Sequence, residues 1–314
     1  MLLSRRSIAL VPALLLLAAC SPKAPPPVTQ AAPEPPPAPA APPPPPNVFK
    51  FTVGTMPAFA LRDGGMTVPN DNKTLAVNKT PEDVAKLLGE AGLPTTELSL
   101  SIQALLVQSG ERVLLFDAGA GKDMGPGAGK LGASLQEAAV APASVTDIFI
   151  SHSHGDHVGG LVADDGTLAF PNATIHLSTP EWTFLKNVKG QDAFLKAITP
   201  KVKAFKPGSE LVTGVVKAVE IKGHTPGHSG YLIGSGTDSL LYVGDSVHHS
   251  IVSVQEPDWT IAFDGDAPLA QKSRKEMLEK NAAAGQRIYA VHFPYPGLGK
   301  FEKKGERIVW VPET

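Results

Sequence analysis

The chain has 314 residues, with 28 Lys and Arg against 30 Asp and Glu, for a formal net charge of −2. So mild an acidity gives no electrostatic case for nucleic acid as a partner. A single cysteine excludes a fold that leans on disulfides, so the core must be held by hydrophobic burial and, where ligand residues gather, by metal.

At the start, Arg5 and Arg6 precede an apolar run from Ile8 to Ala19, the charged and hydrophobic regions of a secretion signal. Twelve residues are too few to span a bilayer as a stable helix. The run ends in Leu17-Ala18-Ala19-Cys20, which resembles the lipobox of bacterial lipoproteins. That resemblance implies a signal peptide over 1–19, a lipidated Cys20 as the membrane anchor, and, from Ser21, the periplasmic face of the outer membrane. Ser4-Arg5-Arg6 carries a weaker resemblance to twin-arginine export signals. Cleavage before Cys20 removes two arginines and moves the net charge to −4. Residues 22–46 are almost entirely Pro and Ala, a composition that favours extended polyproline II and cannot build a core. Residues 20–46 therefore read as a semi-rigid tether of about 3.1 Å per residue. The folded domain is expected over 47–314.

Phe49 to Val53 alternates apolar and polar residues and predicts a half-buried strand, with Phe59-Ala60-Leu61 as its partner. Residues 61–78, rich in Gly, Asp, Asn and Lys, read as a loop. Thr80-Pro81-Glu82-Asp83 opens a helix that should run to about Ala91. Two strands, 99–107 and 112–116, flank a Ser109-Gly110 turn and deliver Asp117, which suits either a turn or the orienting of a metal-bound histidine. The Gly-rich stretch 119–129 lacks a phosphate-loop ending and reads as a mobile rim. A helix is expected over 131–140.

Ile148 to Ile150 then form a short buried strand that runs into His152-Ser-His154-Gly-Asp156-His157. Side chains at i and i+2 of an extended segment point the same way, so His152 and His154 can close on one ion. Gly155 turns the chain, and Asp156 and His157 face a neighbouring second ion. Imidazole with carboxylate suits zinc or a similar first-row metal. Further on, 174–177 is a strand in which His176 is structural, and 180–186 a helix with Trp182 and Phe184. Strands 201–205 and 215–221 follow, the second ending at Gly223-His224-Thr225-Pro226-Gly227-His228. Strand 239–243 opens on Gly244-Asp245, and strand 287–291 on His292. Four times an apolar strand hands a His or Asp to the following loop, the arrangement by which a rigid scaffold gathers an active site.

These residues resemble the metallo-β-lactamase superfamily, whose His-x-His-x-Asp-His motif is followed by separated His, Asp and His. All seven positions match in order, as His152, His154, Asp156, His157, His224, Asp245 and His292. The resemblance implies an α/β fold, a four-layer αβ/βα sandwich, with two divalent ions, zinc favoured. His152, His154 and His224 would hold one ion, Asp156, His157 and His292 the other, and Asp245 would bridge them around a shared hydroxide. The commonest β-lactamases have Cys at the position of Asp245, and the one Cys here is Cys20. The ending His292-Phe-Pro-Tyr-Pro-Gly and Val309-Trp310-Val311-Pro312 is similar to methyl parathion hydrolase and its lactonase relatives. That branch implies a small neutral ester, lactone or phosphotriester as substrate, an apolar pocket and a homodimer. Phe59, Trp182, Phe184, Trp259 and Phe293 are candidate walls. Homoserine-lactone hydrolases of the family carry Tyr three residues after the bridging Asp, where this chain has His248, a candidate acid–base group beside Asp156 and Asp245. His228 is expected to support the loop of His224. Alternatives are a thioester hydrolase like glyoxalase II, against which stand only about 22 residues after His292, and a non-catalytic metal-binding lipoprotein.

Overall fold

The computed structural model describes residues 47–122, 124–234 and 238–313, so the expected signal peptide and tether, within 1–46, lie outside the described residues. β1 (Val48–Val53) pairs antiparallel with β2 (Met56–Pro69). β2 runs far beyond the expected Phe59–Leu61 and replaces the first half of the loop expected from residue 61. The Gly and Asp residues there mark a register shift between Arg62 and Gly64, a bulge within one strand. α1 (Pro81–Glu90) starts as read: the Thr80 hydroxyl accepts the Asp83 N–H while the Asp83 carboxylate accepts the Thr80 N–H. β3 (Glu97–Ser109), β4 (Arg112–Phe116), α2 (Leu131–Glu137), β5 (Asp147–Phe149) and the single turn α3 (Gly155–Val158) follow. Then come β6 (Thr174–Ser178), α4 (Thr179–Leu185), α5 (Asp192–Ile198), β7 (Val202–Phe205), β8 (Glu210–Val212), β9 (Val216–Glu220) and β10 (Ser229–Ile233). The last elements are β11 (Leu240–Tyr242), α6 (Val252–Gln255), α7 (Ala267–Ala284), β12 (Arg287–Tyr289), β13 (Leu298–Lys304) and β14 (Arg307–Pro312).

The strands form two seven-stranded sheets, ordered β1-β2-β3-β4-β5-β6-β7 and β14-β13-β12-β11-β10-β9-β8. β4 to β7 run parallel, as do β11 and β12, and the remaining pairs are antiparallel. Period-2 alternation explains the layering. Along β3, Leu105 and Val107 join Phe116, Phe149, Tyr231 and Tyr242 between the sheets, while Ala104 and Leu106 face the other way onto a layer containing Leu131, Leu135, Leu185 and Ile198 of the helices. On the far face of the second sheet, Leu241 and Ile288 pack under Met277 and Leu278 of α7. The result is the expected four-layer αβ/βα sandwich.

Asp63, fully buried at the bulge, accepts the N–H groups of Ala120, Gly129 and Leu131. The Gly-rich stretch expected as a mobile rim is thereby tied to β2 at its two ends, Ala120 and Gly129.

Candidate metal centre

Each predicted ligand sits where a strand ends. β5 leads into His152 and His154, and the helical turn of α3 then carries Asp156 and His157 to the opposite side of the site. The loop from β9 to β10 holds His224, the turn after β11 holds Asp245, and the segment after β12 holds His292.

The structure brings all seven together, with His248 beside them. Ligand-type atoms of His152, His154, His224 and Asp245 lie within 4.8 Å of one another, and so do those of Asp156, His157 and His292. His224 Nε2 is 3.1 Å from His152 Nε2 and 3.1 Å from His154 Nδ1. Four donors at about 2.0–2.1 Å around a zinc ion stand roughly 3.3 Å apart, so this spacing fits a tetrahedral cation. Asp245 faces both groups. Its Oδ1 is 3.1 Å from His157 Nε2 and 3.1 Å from His292 Nε2. Its Oδ2 is 3.5 Å from His224 Nε2 and 3.7 Å from His152 Nε2. Among the described residues His157 Nε2 and Asp245 Oδ1 are buried without a hydrogen bond of good geometry. Such orphaned donors and acceptors are costly unless something else satisfies them. A pair of divalent cations would do so, and the donor set fits them.

The far nitrogens are fixed. His157 Nδ1 lies 2.6 Å from Asp117 Oδ2, His224 Nδ1 3.0 Å from Asp264 Oδ1, and His292 Nδ1 2.7 Å from the Ser101 carbonyl. Each pairing leaves Nε2 facing the centre, and this sets which nitrogen is free to ligate. Asp117 therefore takes the orienting role, and also the turn role, with φ at +57°. It is held in turn by the Ser151 N–H and hydroxyl and by the Tyr242 hydroxyl.

Charge divides the centre in two. Burial, together with the neighbouring imidazoles, pushes His152, His154 and His224 below their ordinary values, so these rings are neutral donors. Burial also pushes on His157 and His292, but Asp245 and Asp156 outweigh it and raise both. The same imidazoles hold the Asp156 and Asp245 carboxyls well below the usual range against their own burial.

His228 supports Asp245 as well as its own loop. Its Nδ1 donates to the Ile221 carbonyl, and its Nε2 accepts the Asp245 N–H at 2.9 Å. Burial and His224 push it down to about 3, keeping the ring neutral for that bond. Gly244, at φ +51°, makes room, since a Cβ there would stand 2.6 Å from His228 Nε2. His249 accepts the N–H groups of Ile251 and Val252 and is structural, as is His176, whose Nε2 lies 2.9 Å from Asp147. His248 is different. It is 1 % exposed, its Nε2 is 3.2 Å from Asp245 Oδ2, and among the described residues neither ring nitrogen has a hydrogen-bond partner. Its ring lies parallel to His292 at 5.4 Å and tilted toward Phe263 at 5.8 Å.

Beside His154 and His224 opens a cavity of about 480 Å³ lined by Phe184, Pro226, Phe263 and Leu269, with Lys222 and Asp266 also on its wall. Of the five aromatic walls expected, only Phe184 takes part. Phe59 and Trp182 pack in the layer between the first sheet and its helices, Trp259 packs with α1 and α6, and Phe293 is buried against Trp310. Phe263 was missed, as were Glu181, Asp264 and Arg274. Asp264 is gripped by Arg274 at 2.7 Å, with side chains 0 % and 1 % exposed. Ser178 caps α4 by accepting the Glu181 N–H, a pairing that the sequence reading of a helix over 180–186 did not include.

The metallo-β-lactamase superfamily pattern matches residues 100–292. Among solved structures, AidC, a dizinc quorum-quenching lactonase in complex with an L-homoserine product, is 30 % identical with a TM-score of 0.79, covering 85 % of this chain and 98 % of that one. The hydrolase AbOPH of the β-lactamase superfamily is 28 % identical with a TM-score of 0.77, covering 86 % and 98 %. Ribonuclease Z of Salinibacter ruber is 39 % identical over 79 residues, 25 % of this chain, and the chain spans only 21 % of that relative. The matched region runs from β3 to His292, over the same strands that deliver the site, and by that match the chain belongs to the metallo-β-lactamase superfamily and is a metal-dependent hydrolase of it.

Proposed function

We propose that the chain is a dinuclear hydrolase of small neutral esters, lactones or phosphotriesters, with lactones bearing an apolar substituent foremost. The observation that carries this is Asp245, whose carboxylate lies between the two ligand groups, with Oδ1 3.1 Å from His157 and His292 and Oδ2 3.2 Å from His292, 3.5 Å from His224 and 3.7 Å from His152. His152, His154 and His224 hold one cation, Asp156, His157 and His292 the other, and zinc is the metal we favour. When bound, the pair supplies Lewis acidity and water acidified toward neutrality.

The remaining work belongs to the chain's own groups. The Asp156 side chain is 13 % exposed, the most open of the carboxylates in the centre, and is placed to orient the attacking water through a hydrogen bond to its carboxylate. His248 stands between Asp245 and Phe263 with both ring nitrogens unpartnered, free to donate a hydrogen bond to the substrate carbonyl or the departing oxygen. The apolar cavity receives the substituent, which suits a neutral substrate. The 30 % identity to AidC and the agreement along nearly all of its length support the lactone class.

The test is to assay the zinc-loaded full chain on lactones, aryl esters, thioesters and phosphotriesters. Lactone and ester turnover is expected, abolished by Asp245→Ala. Full loading without turnover of any of them refutes the reading. We also propose, on the Leu17-Ala18-Ala19-Cys20 sequence alone, that Cys20 is lipidated and anchors the chain at the periplasmic face of the outer membrane.

A further inference from the structure

Two loops supply the three imidazoles of the neutral half of the centre, His152 and His154 from one and His224 from the other. They come from different sheets, and their ligands must still meet within a few tenths of an ångström. One buried side chain joins them. Glu181, in the first turn of α4, is fully buried. Its Oε1 accepts the Ser153 N–H at 2.8 Å and the Ser153 hydroxyl at 2.6 Å. Its Oε2 accepts the Thr225 hydroxyl at 2.7 Å and the Gly227 N–H at 2.9 Å. Ser153 lies between His152 and His154, and Thr225 follows His224.

The contact is close-fitting. Ser178 accepts the Glu181 N–H and donates to the Gly227 carbonyl at 2.6 Å. A Cβ at Gly227 would stand 2.1 Å from the Glu181 nitrogen, so only glycine lets this loop seat on α4. Four donors saturate the carboxylate, and in a buried site each lost acceptor strands a polar group. The other half of the centre is held elsewhere: His157 by Asp117 and His292 by the Ser101 carbonyl. Among the described residues Glu181 makes no hydrogen bond to Asp156, His157 or His292.

We infer that Glu181 is a positioning residue for one half of the centre: it fixes His152, His154 and His224 in register and leaves the Asp156, His157 and His292 half untouched. This rests on the dinuclear reading above. Asp117 reaches both halves, bonding His157 directly and His152 through the Ser151 hydroxyl, which lies 3.1 Å from His152 Nδ1. Glu181 is the brace particular to the first half, and the two cation affinities separate when it is changed.

The experiment strips the full chain with a chelator and titrates it with zinc against a chromophoric competitor. Wild type is expected to take two equivalents. In Glu181→Gln, whose amide NH2 must face either the Ser153 N–H or the Gly227 N–H, one equivalent weakens about ten-fold or more and the other is unchanged. Backgrounds assign the loss. On His292→Ala the change at Glu181 weakens the zinc that remains, and on His154→Ala it leaves the remaining zinc as it was. Equal weakening on both backgrounds, or none on either, overturns the inference while the dinuclear reading stands. A wild type that binds no zinc overturns both. Circular dichroism of the metal-free proteins checks folding. If Glu181→Gln does not fold, Thr225→Val, which removes one of the four bonds, is read by the same titration, with a several-fold loss expected on His292→Ala alone and an equal loss on both backgrounds overturning the inference.

Discussion

Arg274 is the largest fully buried side chain of the domain, and it sits one step behind the centre. Its Nη2 grips Asp264 Oδ2 at 2.7 Å, its Nε donates to the Ser246 carbonyl at 2.8 Å, and its Nη1 to the Pro257 carbonyl at 3.0 Å. Asp264 in turn holds His224, and Ser246 follows Asp245, so one guanidinium steadies residues next to two ligands. Arg274→Met fills part of the space but strands the Asp264 carboxylate, whose side chain is 0 % exposed. Removing one partner of a buried pair costs about 3–5 kcal/mol. For a domain of this size each kcal/mol moves Tm by roughly 2–4 °C, so the metal-free variant should melt about 6–20 °C below wild type. Asp264→Asn in the same chain removes the stranded charge and should recover part of the loss, a coupling that a double-mutant cycle followed by thermal melts measures. A Tm within about 2 °C of wild type for Arg274→Met, or strict additivity of the two changes, would refute the claim that the pair works as a buried unit.

Asp245→Ala should strip zinc and turnover together; full metal retention, measured by elemental analysis, removes the bridging role. Phe184→Ala opens one wall of the cavity and should lower kcat/KM roughly five-fold for lactones with long apolar substituents while leaving short ones near wild type, as kinetics along a chain-length series would show. Burial pushes the Asp147 carboxyl up, but hydrogen bonds from His176 and Thr146 and the charges of His176 and Arg112 bring it from 3.8 down to about 2. Its stabilising contribution is therefore complete above about pH 3.8 and lost as pH falls through about 2, so the Tm gap between metal-free wild type and Asp147→Asn should close over that window. Cys20→Ala should move the chain from the membrane to the soluble fraction on cell fractionation.

β5 and β11, which lead to His152 and Asp245, were legible because each lies in a short apolar run that ends at ligand-type residues, and because both are buried on both faces. β2 was not, since Asp63-Gly64-Gly65 carries the residues of a turn and only its pairing with β3 shows it to be a bulge. α7 was hidden for another reason: Arg274 and Asn281 occupy buried positions on it, and polar residues there break the apolar stripe that marks a helix. Glu181 and Asp264 were equally hidden. A buried carboxylate that braces a loop looks, in sequence, like any helix-capping Glu or turn Asp, and only its partners distinguish it.

Convergence of ligands spread over some 140 positions has a simple cause in the pairing of strands. β4 and β5 run parallel, so Asp117 and the His152 loop leave the first sheet at one edge. β11 and β12 run parallel, so Asp245 and His292 leave the second sheet together. Packing the sheets face to face brings the two edges into contact, where Ser101 of β3 receives His292 across the interface. What parallel pairing cannot do is place His224, which comes from an antiparallel connection between β9 and β10. That histidine is also the one gripped by Asp264, with its loop tied down by Glu181 through Thr225 and Gly227. The ligand with least support from sheet geometry has the most buried carboxylates holding it, and for that reason changes at Glu181 and Asp264 should reach the cation it shares with His152 and His154 before they reach the other.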